Sequence, residues 1–227
     1  MRLVLFDLDH TLLPADTDVE WLDFLIDEGV VEAAEREANA EMARRYVEGI
    51  AGTHEFVRFY LRHFVPHQMP QLIAWRDRFL ETRILPRISQ AARALVASHL
   101  GKGDLVAIIT ATNRFLTEPV AKSLGIEHLI ATDPEIVGGR FTGNTVGTPC
   151  FREGKVERLD QWLAAGGKAL RNFAETWFYS DSINDVALLR RSSHPVAVDP
   201  DPQLERYARE HRWQVLRLNG ASSDKMT

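Results

Sequence analysis

The chain opens with an apolar run that ends abruptly in two carboxylates. Residues 4–6 (Val-Leu-Phe) suit a buried strand, because strands of parallel sheets have continuous apolar runs. Asp7 and Asp9 come next, with one residue between them, so a chain that leaves the strand nearly extended places both carboxylates on one side. Such neighbours repel each other, and this is tolerated where a cation binds or a proton moves.

This segment has two interpretations. It forms a Mg²⁺ site, an aspartyl nucleophile with an acid beside it, or both. Alternatively, it is an Asp-rich turn that ends the strand, with Thr11 capping the next helix. The other strand ends of the chain distinguish the two.

Composition bounds the class of the protein. The 227 residues suit one large domain or a core domain with an insertion, and the hydrophobic fraction of 45% is enough to bury a full core. The net charge of −5 without a basic cluster argues against a nucleic-acid partner. Cys150 is the single cysteine, so no disulfide can form within the chain, which fits a reducing compartment. The first residues do not match a secretory signal, and no apolar run is long enough to span a bilayer. A soluble cytoplasmic protein with no membrane partner is expected.

Strand and helix patterns alternate along most of the chain. They predict strands at 3–7, 105–110, 127–131, 176–180, 195–198 and 214–218, and helices at 114–124, 155–165, 184–191 and 202–211. This alternation predicts an α/β fold with a doubly wound, mostly parallel sheet. The glycine-rich stretch 138–147 predicts a β-hairpin around Gly138 and Gly139, and the polar residues 219–227 are expected to fray.

A long helical block interrupts the alternation after the first strand. Aromatic residues recur there at helical spacing, and Pro66, Pro70 and Pro86 are expected to begin or end helices. About 70 residues is far more than a connection between a strand and a helix needs. The pattern therefore predicts an inserted helical cap at 15–84, whose aromatic residues form its core, over an α/β core at 1–14 and 85–227.

Further acids, hydroxyls and a lysine stand at strand or helix ends. Thr110 ends an apolar strand, and hydroxyls and free backbone N–H groups at a helix start suit a phosphate oxygen, although a simple N-cap by Thr112 or Asn113 is the alternative. Lys155 at a helix start opposes the helix dipole and suggests an anionic partner. Asp181 ends another apolar strand, with Asp185 one helical turn later.

In this order and spacing the segments resemble the four motifs of the haloacid dehalogenase superfamily. The matching residues are Asp7-Leu-Asp-His-Thr11, Thr110, Lys155 and Ser180-Asp-Ser-Ile-Asn-Asp185. The helical insertion directly after the first motif is similar to the cap of the phosphoserine phosphatase-like branch. An acid at Asp9 favours a phosphatase over a dehalogenase.

The resemblance implies a mechanism. Asp7 attacks phosphorus and forms an aspartyl-phosphate, and Asp9 acts as general acid and then as general base. Mg²⁺ is implied as the cofactor, held by the Asp7 carboxylate, the Asp9 backbone carbonyl and Asp181. Thr110, which bonds a phosphate oxygen, and Lys155, which offsets negative charge, are implied as catalytic residues as well. Supporting or phosphate-contacting roles are implied for Thr11, Ala111, Asn184 and Asp185.

The substrate is expected to be a small phosphomonoester. In the resembled branch an acid after the first motif binds a substrate amine, which suggests Asp16, and a cap arginine binds a carboxylate, which suggests Arg58 with Arg62 and Arg44 as rivals. The alternative for each is a solvated helix charge. The segment 110–113 (Thr-Ala-Thr-Asn) departs from the glycine-rich second motif of phosphoserine phosphatases, so histidinol phosphate competes with phosphoserine. A phosphotransferase and a non-enzymatic aspartyl-phosphate signalling module are the alternative functions.

Overall fold

The computed structural model of the protein describes residues 1–219. Of the polar tail that was expected to fray, residues 220–227 lie outside this described part. Within residues 1–219, no helix is both long and apolar enough to cross a lipid bilayer.

One sheet runs through the molecule. Within the described residues its strands are β1 (Arg2–Phe6), β2 (Leu105–Asn113), β3 (His128–Val137), β4 (Arg140–Val146), β5 (Glu175–Ser180), β6 (His194–Val198) and β7 (Gln214–Leu216). Their order is β4-β3-β2-β1-β5-β6-β7. All neighbouring pairs are parallel except β3 and β4, which form the predicted hairpin. The predicted α/β class with a mostly parallel sheet is confirmed.

Nine α-helices occur within residues 1–219. They are α1 (Thr17–Asp27), α2 (Glu35–Val47), α3 (Thr53–Leu61), α4 (Met69–Phe79), α5 (Gln90–Gly101), α6 (Arg114–Ser123), α7 (Glu153–Ala165), α8 (Val186–Leu189) and α9 (Pro202–Glu210). A π-helical turn (Leu80–Ile84) and a 3₁₀ turn (Leu85–Arg87) continue α4. Pro70 lies in the first turn of α4 and Pro86 in the 3₁₀ turn, as expected for residues that cannot donate to a preceding helical turn.

The central strand β1 divides its side chains between the two faces of the sheet. Val4 and Phe6 join a buried cluster with residues of α5 and α6, whereas Leu3 and Leu5 join a second cluster with residues of α7, α8 and α9. All four side chains are fully buried, so both faces of the sheet are covered. The end of β1 therefore lies between the ends of β2 and β5, and the acids that follow it face the neighbouring strand ends.

The helical insertion does not form one separate core. Trp21 of α1 and Phe79 of α4, with ring centroids 5.2 Å apart, belong to the same buried cluster as Phe6 of β1. A separate small cluster contains Phe59 and Tyr60 of α3 together with Met42 of α2. The aromatic residues of α1 and α4 therefore pack with the sheet, and only α2 and α3 have a core of their own. The boundary of a cap at residue 15 stays a prediction.

Some elements differ in length from the predicted ones. The strand expected to end at residue 110 continues to Asn113 as β2, with an irregular register against β3 between Ile109 and Asn113. The helix expected at 184–191 is a 3₁₀ turn (Ile183–Asp185) followed by the short α8. Both differences lie beside the strand ends that carry polar residues, where side-chain hydrogen bonds compete with regular structure.

Replacing Phe79 by alanine tests whether α4 belongs to the main core. The Phe79 side chain is fully buried, so we expect Phe79→Ala to lower the free energy of unfolding by about 3–5 kcal/mol. Ile73→Ala on the same helix is the matched control, because Ile73 is 38% exposed and its truncation should cost less than about 1 kcal/mol. Urea denaturation measures both. Equal effects of the two substitutions would contradict the packing described here.

Candidate active site

Polar side chains from several elements line one cavity of about 290 Å³ beside the carboxyl ends of β1, β2 and β5. In open α/β sheets this edge is where ligands bind. The cavity brings together most of the residues singled out in the sequence: Asp7, Asp9, Asp16, Thr110, Ala111, Lys155, Asp181, Asn184 and Asp185. The Thr11 hydroxyl contacts the carboxylates of Asp7 and Asp181, whereas Arg58 lines a different depression.

Asp7 and Asp185 hold the ammonium group of Lys155 between them. Lys155 Nζ donates to Asp7 Oδ1 at 2.6 Å and to Asp185 Oδ2 at 2.7 Å, and all three residues are buried. Burial by itself would lower the pKa of Lys155, but the charges of Asp185 and Asp7 outweigh it and raise that pKa. Lys155 is therefore a permanent cation beside Asp7.

The local chain positions these groups. Asp7 follows β1, and its backbone N–H donates to Tyr179 O at 2.9 Å, which continues the ladder between β1 and β5. Ser180, the last residue of β5, donates from its hydroxyl to Asp185 Oδ2 at 2.7 Å. Lys155 lies in the first turn of α7, after Gly154, whose place a β-carbon could not take without overlapping Pro149 O. The glycine thus lets α7 begin close to the preceding loop.

Thr11 connects the Asp7 and Asp181 carboxylates. Its hydroxyl lies 3.4 Å from Asp7 Oδ2 and 3.2 Å from Asp181 Oδ1. Burial, with further contributions from the charges of Asp7 and Asp185, raises the pKa of Asp181 well above its usual value. Burial also raises the pKa of Asp7 to about 6, although Lys155 opposes this shift. The charge of Lys155 does not outweigh the burial of these two carboxylates.

This pair fits a divalent cation that prefers oxygen ligands. Within residues 1–219, no three side chains of His, Cys, Asp or Glu are grouped as a metal cluster. An ion here would take carboxylate oxygens from Asp7 and Asp181, and its other ligands would be a backbone oxygen and waters. Mg²⁺ usually keeps several waters and one or two carboxylates, so this donor set suits it.

The Asp9 side chain is held by two hydroxyl groups. Thr112 Oγ1 donates to Asp9 Oδ2 at 2.6 Å, and Thr17 donates to Asp9 Oδ1 from both its backbone N–H, at 3.1 Å, and its hydroxyl. Burial, followed by the charge of Asp16, raises the pKa of Asp9 to about 7. A carboxyl group with a pKa near neutrality can give and take a proton.

The sequence left open whether Thr112 or Asn113 caps the helix that follows β2. In the structure Asn113 is the cap and Thr112 has a different role. Asn113 is the N-cap of α6, since its Oδ1 accepts from Leu116 N at 3.2 Å, and its Nδ2 donates to Asp18 Oδ1 at 3.2 Å. Thr112 instead holds Asp9, and its backbone N–H donates to Thr110 Oγ1 at 3.3 Å. Thr110 lines the cavity beside Ala111.

The cavity also contains two more acids and an aromatic wall. Asp16 caps α1 by accepting from Val19 N at 3.0 Å. Burial, with the charges of Asp16 and Asp9, raises the pKa of Asp18 well above its usual value. Among the described residues, neither acid has an ion-pair partner within 4 Å. The aromatic wall consists of Tyr46, Phe56, Tyr60 and Phe151.

Arg58 does not line this cavity. It lies in a separate depression with His54 and Glu135, where α3 approaches the β3–β4 hairpin. The rivals Arg44 and Arg62 form ion pairs on the helix surfaces, with Glu41 and Glu48 and with Glu35, respectively. The geometry does not support the predicted contact between Arg58 and a substrate carboxylate, because helical spacing alone does not indicate which face of α3 meets the site.

Several lining residues had no role in the sequence-based prediction. Tyr46, which lines the cavity, and Thr17, which holds Asp9 without lining the cavity, were not singled out for a role in the site. Phe56 and Tyr60 were expected in a cap core, whereas both line the cavity. The one available signal was the cluster of acids and hydroxyls at residues 16–18, directly after the first motif. For the aromatic residues no local signal distinguishes a core ring from a cavity ring.

Comparisons with known proteins agree with this geometry. A sequence model of the haloacid dehalogenase-like hydrolase family matches residues 4–190. A histidinol-phosphatase from Neisseria meningitidis is 44% identical over 217 residues, which are 95% of this chain and 98% of that protein. A crystal structure of a protein of unknown function from Bordetella pertussis superposes with a TM-score of 0.93 at 47% identity, covering 96% of this chain and 98% of the other.

A substrate-bound phosphoserine phosphatase superposes with a TM-score of 0.67 at 18% identity, covering 96% of this chain and 92% of the other, which is a likeness of fold. The predicted family and fold class are confirmed, and so is the expectation of an enzyme that hydrolyses phosphoric monoesters. The family model covers more than half of the sequence, from β1 to the end of α8. The chain belongs to the haloacid dehalogenase-like hydrolase family.

Proposed function

We propose that this enzyme hydrolyses histidinol phosphate, with Mg²⁺ as its cofactor. The charge of the cavity carries the proposal: six aspartates line it, and Lys155 is the only lysine or arginine that does so among the described residues. Lys155 is already bound to Asp7 and Asp185. A ligand here must therefore bring positive charge in addition to its phosphate, and histidinol phosphate brings an amine and an imidazole.

Phosphoserine fits this cavity less well, because its carboxylate needs a cation. The exposed Arg152 follows the lining residue Phe151, but its Nε donates to Asn184 Oδ1 at 3.1 Å and its guanidinium lies 5.2 Å from the centre of the Tyr46 ring. An unpaired carboxylate beside Asp16 and Asp18 would be repelled and desolvated. The similarity to a histidinol-phosphatase over nearly the whole chain supports the same substrate.

The residues of the cavity suit a two-step displacement. Asp7 attacks phosphorus, the bond between phosphorus and the substrate oxygen breaks, and the Asp9 carboxyl gives its proton to the leaving oxygen. Water then attacks the aspartyl-phosphate, Asp9 takes its proton, and phosphate leaves with Asp7 restored. A magnesium ion held by Asp7, Asp181 and the Asp9 carbonyl oxygen would offset the charge of the phosphate dianion.

The remaining polar residues hold these groups and the phosphate in place. Asp185 and Ser180 position Lys155, which reduces the repulsion between Asp7 and the phosphate. Thr110 and the backbone at Ala111 line the phosphate end, where the hydroxyl can donate to a phosphate oxygen. Asn184 accepts from Arg152 through its side-chain oxygen, and its amide nitrogen can donate to the phosphate.

A substrate panel tests the proposal. With Mg²⁺ present, we expect kcat/KM for histidinol phosphate to exceed that for phosphoserine by about 100-fold, because a site with unpaired charges rejects the wrong ligand strongly. Glucose 6-phosphate, which has neither amine nor carboxylate, should fall below histidinol phosphate as well. Released phosphate gives the rates, and product analysis with added glycerol separates hydrolysis from phosphotransfer. A preference for phosphoserine would refute the assignment.

The Asp7→Asn variant tests the nucleophile. We expect it to lower kcat by more than about 10³-fold, because the covalent step is lost. Mass spectrometry of wild-type enzyme quenched during turnover should find phosphate on the peptide that contains Asp7, and no phosphate on the variant. Asp77→Asn, at an exposed residue of α4, is the control and should retain full activity. Substantial turnover by a correctly folded Asp7→Asn variant would contradict the mechanism.

Thermal stability tests the cation site without any turnover. The folded pKa values of Asp7 and Asp181 are raised, so metal-free protein should lose stability as the pH rises from about 4 through those values. Mg²⁺ at about 100 times its Kd should raise the melting temperature by about 5–10 °C at pH 8. The shift should be smaller at pH 5, where protons compete. Asp181→Asn should remove the Mg²⁺ response and Asp77→Asn should keep it; an equal response in both variants would count against the site.

A further inference from the structure

The Tyr46 hydroxyl is a buried polar group without a partner. Its oxygen has no hydrogen bond within the part of the chain that the structure describes, although the residue lines the active-site cavity. A buried hydroxyl left unpaired costs about 1–3 kcal/mol. The neighbouring Tyr60, which also lines the cavity, differs, because its hydroxyl donates to Asn39 Oδ1 at 2.7 Å. One of the two tyrosines therefore has a hydrogen bond left to give to a ligand.

Tyr46 is part of the aromatic wall. Its ring centroid lies 4.4 Å from that of Phe56 and 5.5 Å from that of Phe151, and Phe56 lies 5.3 Å from Tyr60. Such a wall favours a flat ring over a flexible aliphatic group, because aromatic rings bury large area in fixed geometries. The Tyr46 oxygen itself has almost no solvent-accessible surface in the free protein, so a ligand ring reaches it only if the Tyr46 side chain shifts.

The wall and the acids lie close together. Burial raises the pKa of Tyr60, and the charges of Asp16 and Asp18 raise it further, so both carboxylates act on this part of the cavity. The chemistry that suits the place is an aromatic ring with a nitrogen, joined to a cationic amine. The phosphate end, at Asp7 and Lys155, lies in the same cavity.

Residues of the α/β core contact the Tyr46 ring. Tyr46 belongs to α2, whereas Phe151 and Arg152 precede α7. The Arg152 guanidinium covers the Tyr46 ring at 5.2 Å and is itself bonded to Asn184, a residue of the fourth motif. The Tyr46 ring is thus linked through Arg152 to Asn184 of the fourth motif.

We propose that Tyr46 contributes to substrate specificity by recognising the nitrogen heterocycle of the substrate. The substrate ring lies against the aromatic wall, the Tyr46 side chain shifts so that its oxygen is exposed, and the hydroxyl forms a hydrogen bond with a ring nitrogen. This inference rests on the proposed function and adds the group that recognises the ring. A ringless amino-alcohol phosphate leaves the hydroxyl unpaired, so the enzyme should bind it more weakly for this reason as well as for the lost contact area.

Two conservative variants and two substrates test the proposal. Histidinol phosphate carries the ring, and ethanolamine phosphate carries the amine without it. We expect Tyr46→Phe to raise KM for histidinol phosphate about 5- to 10-fold, with kcat within about twofold and KM for ethanolamine phosphate changed by less than about twofold. Tyr60→Phe is the matched variant, and it should move both KM values by the same factor.

Thermal unfolding of the free variants gives a readout that is independent of activity. Tyr46→Phe removes an unpaired buried hydroxyl, so its melting temperature should equal or exceed that of the wild type. Tyr60→Phe leaves Asn39 without its donor and should melt lower. A lower melting temperature for Tyr46→Phe would mean that the hydroxyl already has a partner, and this would overturn the proposal.

The wild-type enzyme separates failure of this inference from failure of the proposed function. If the wild-type enzyme prefers phosphoserine to histidinol phosphate, the proposed function is refuted, and so is the recognition of a substrate ring by Tyr46. If wild type prefers histidinol phosphate but Tyr46→Phe raises both KM values alike, or behaves like Tyr60→Phe, the function stands and the role of Tyr46 is refuted.

Discussion

The ion-pair network of Lys155 with Asp7 and Asp185 is the interaction on which the site depends. All three groups are buried, and a buried charge that loses its partner costs about 3–5 kcal/mol. The network joins three parts of the chain: the end of β1, the start of α7 and the 3₁₀ turn after β5. It therefore orients the nucleophilic carboxylate and ties the strand ends together, and Gly154 lets α7 begin close enough for the lysine to reach them.

Excess negative charge is the second constraint. Apart from Lys155, the acids of the cavity have no cation among the described residues, and burial raises the pKa of Asp7, Asp9, Asp18 and Asp181. The protein thus holds carboxylates in a state that is unfavourable until positive charge arrives. A divalent ion at Asp7 and Asp181 and a cationic substrate group beside Asp16 and Asp18 would both supply this charge. Strain of this kind at functional sites is commonly offset by packing elsewhere, here by the four fully buried side chains 3–6 of β1.

The sequence predicted the site best where reactive side chains stand at the ends of recognisable strands. Asp7 and Asp181 follow apolar strands, and parallel strands end at one edge of a sheet, so their approach could be predicted. Arg58 and Tyr46 show where this reasoning ends. Both lie in the helical insertion, and which of their helix faces meets the sheet depends on packing between α2, α3 and the core. Helical periodicity identifies a face, and it does not identify the surface that this face meets.

The sequence by itself determined the α/β class, the family, the hairpin at Gly138 and the acids at the strand ends, because each is recorded in local patterns of apolar runs, turns and spacing. Only the tertiary structure decided that Thr17 and Thr112 hold Asp9, that Arg58 lies outside the cavity, and that one tyrosine hydroxyl is left unpaired. These facts depend on side chains that are distant in sequence and come within hydrogen-bonding distance only once the helices pack. No local pattern specifies such distances.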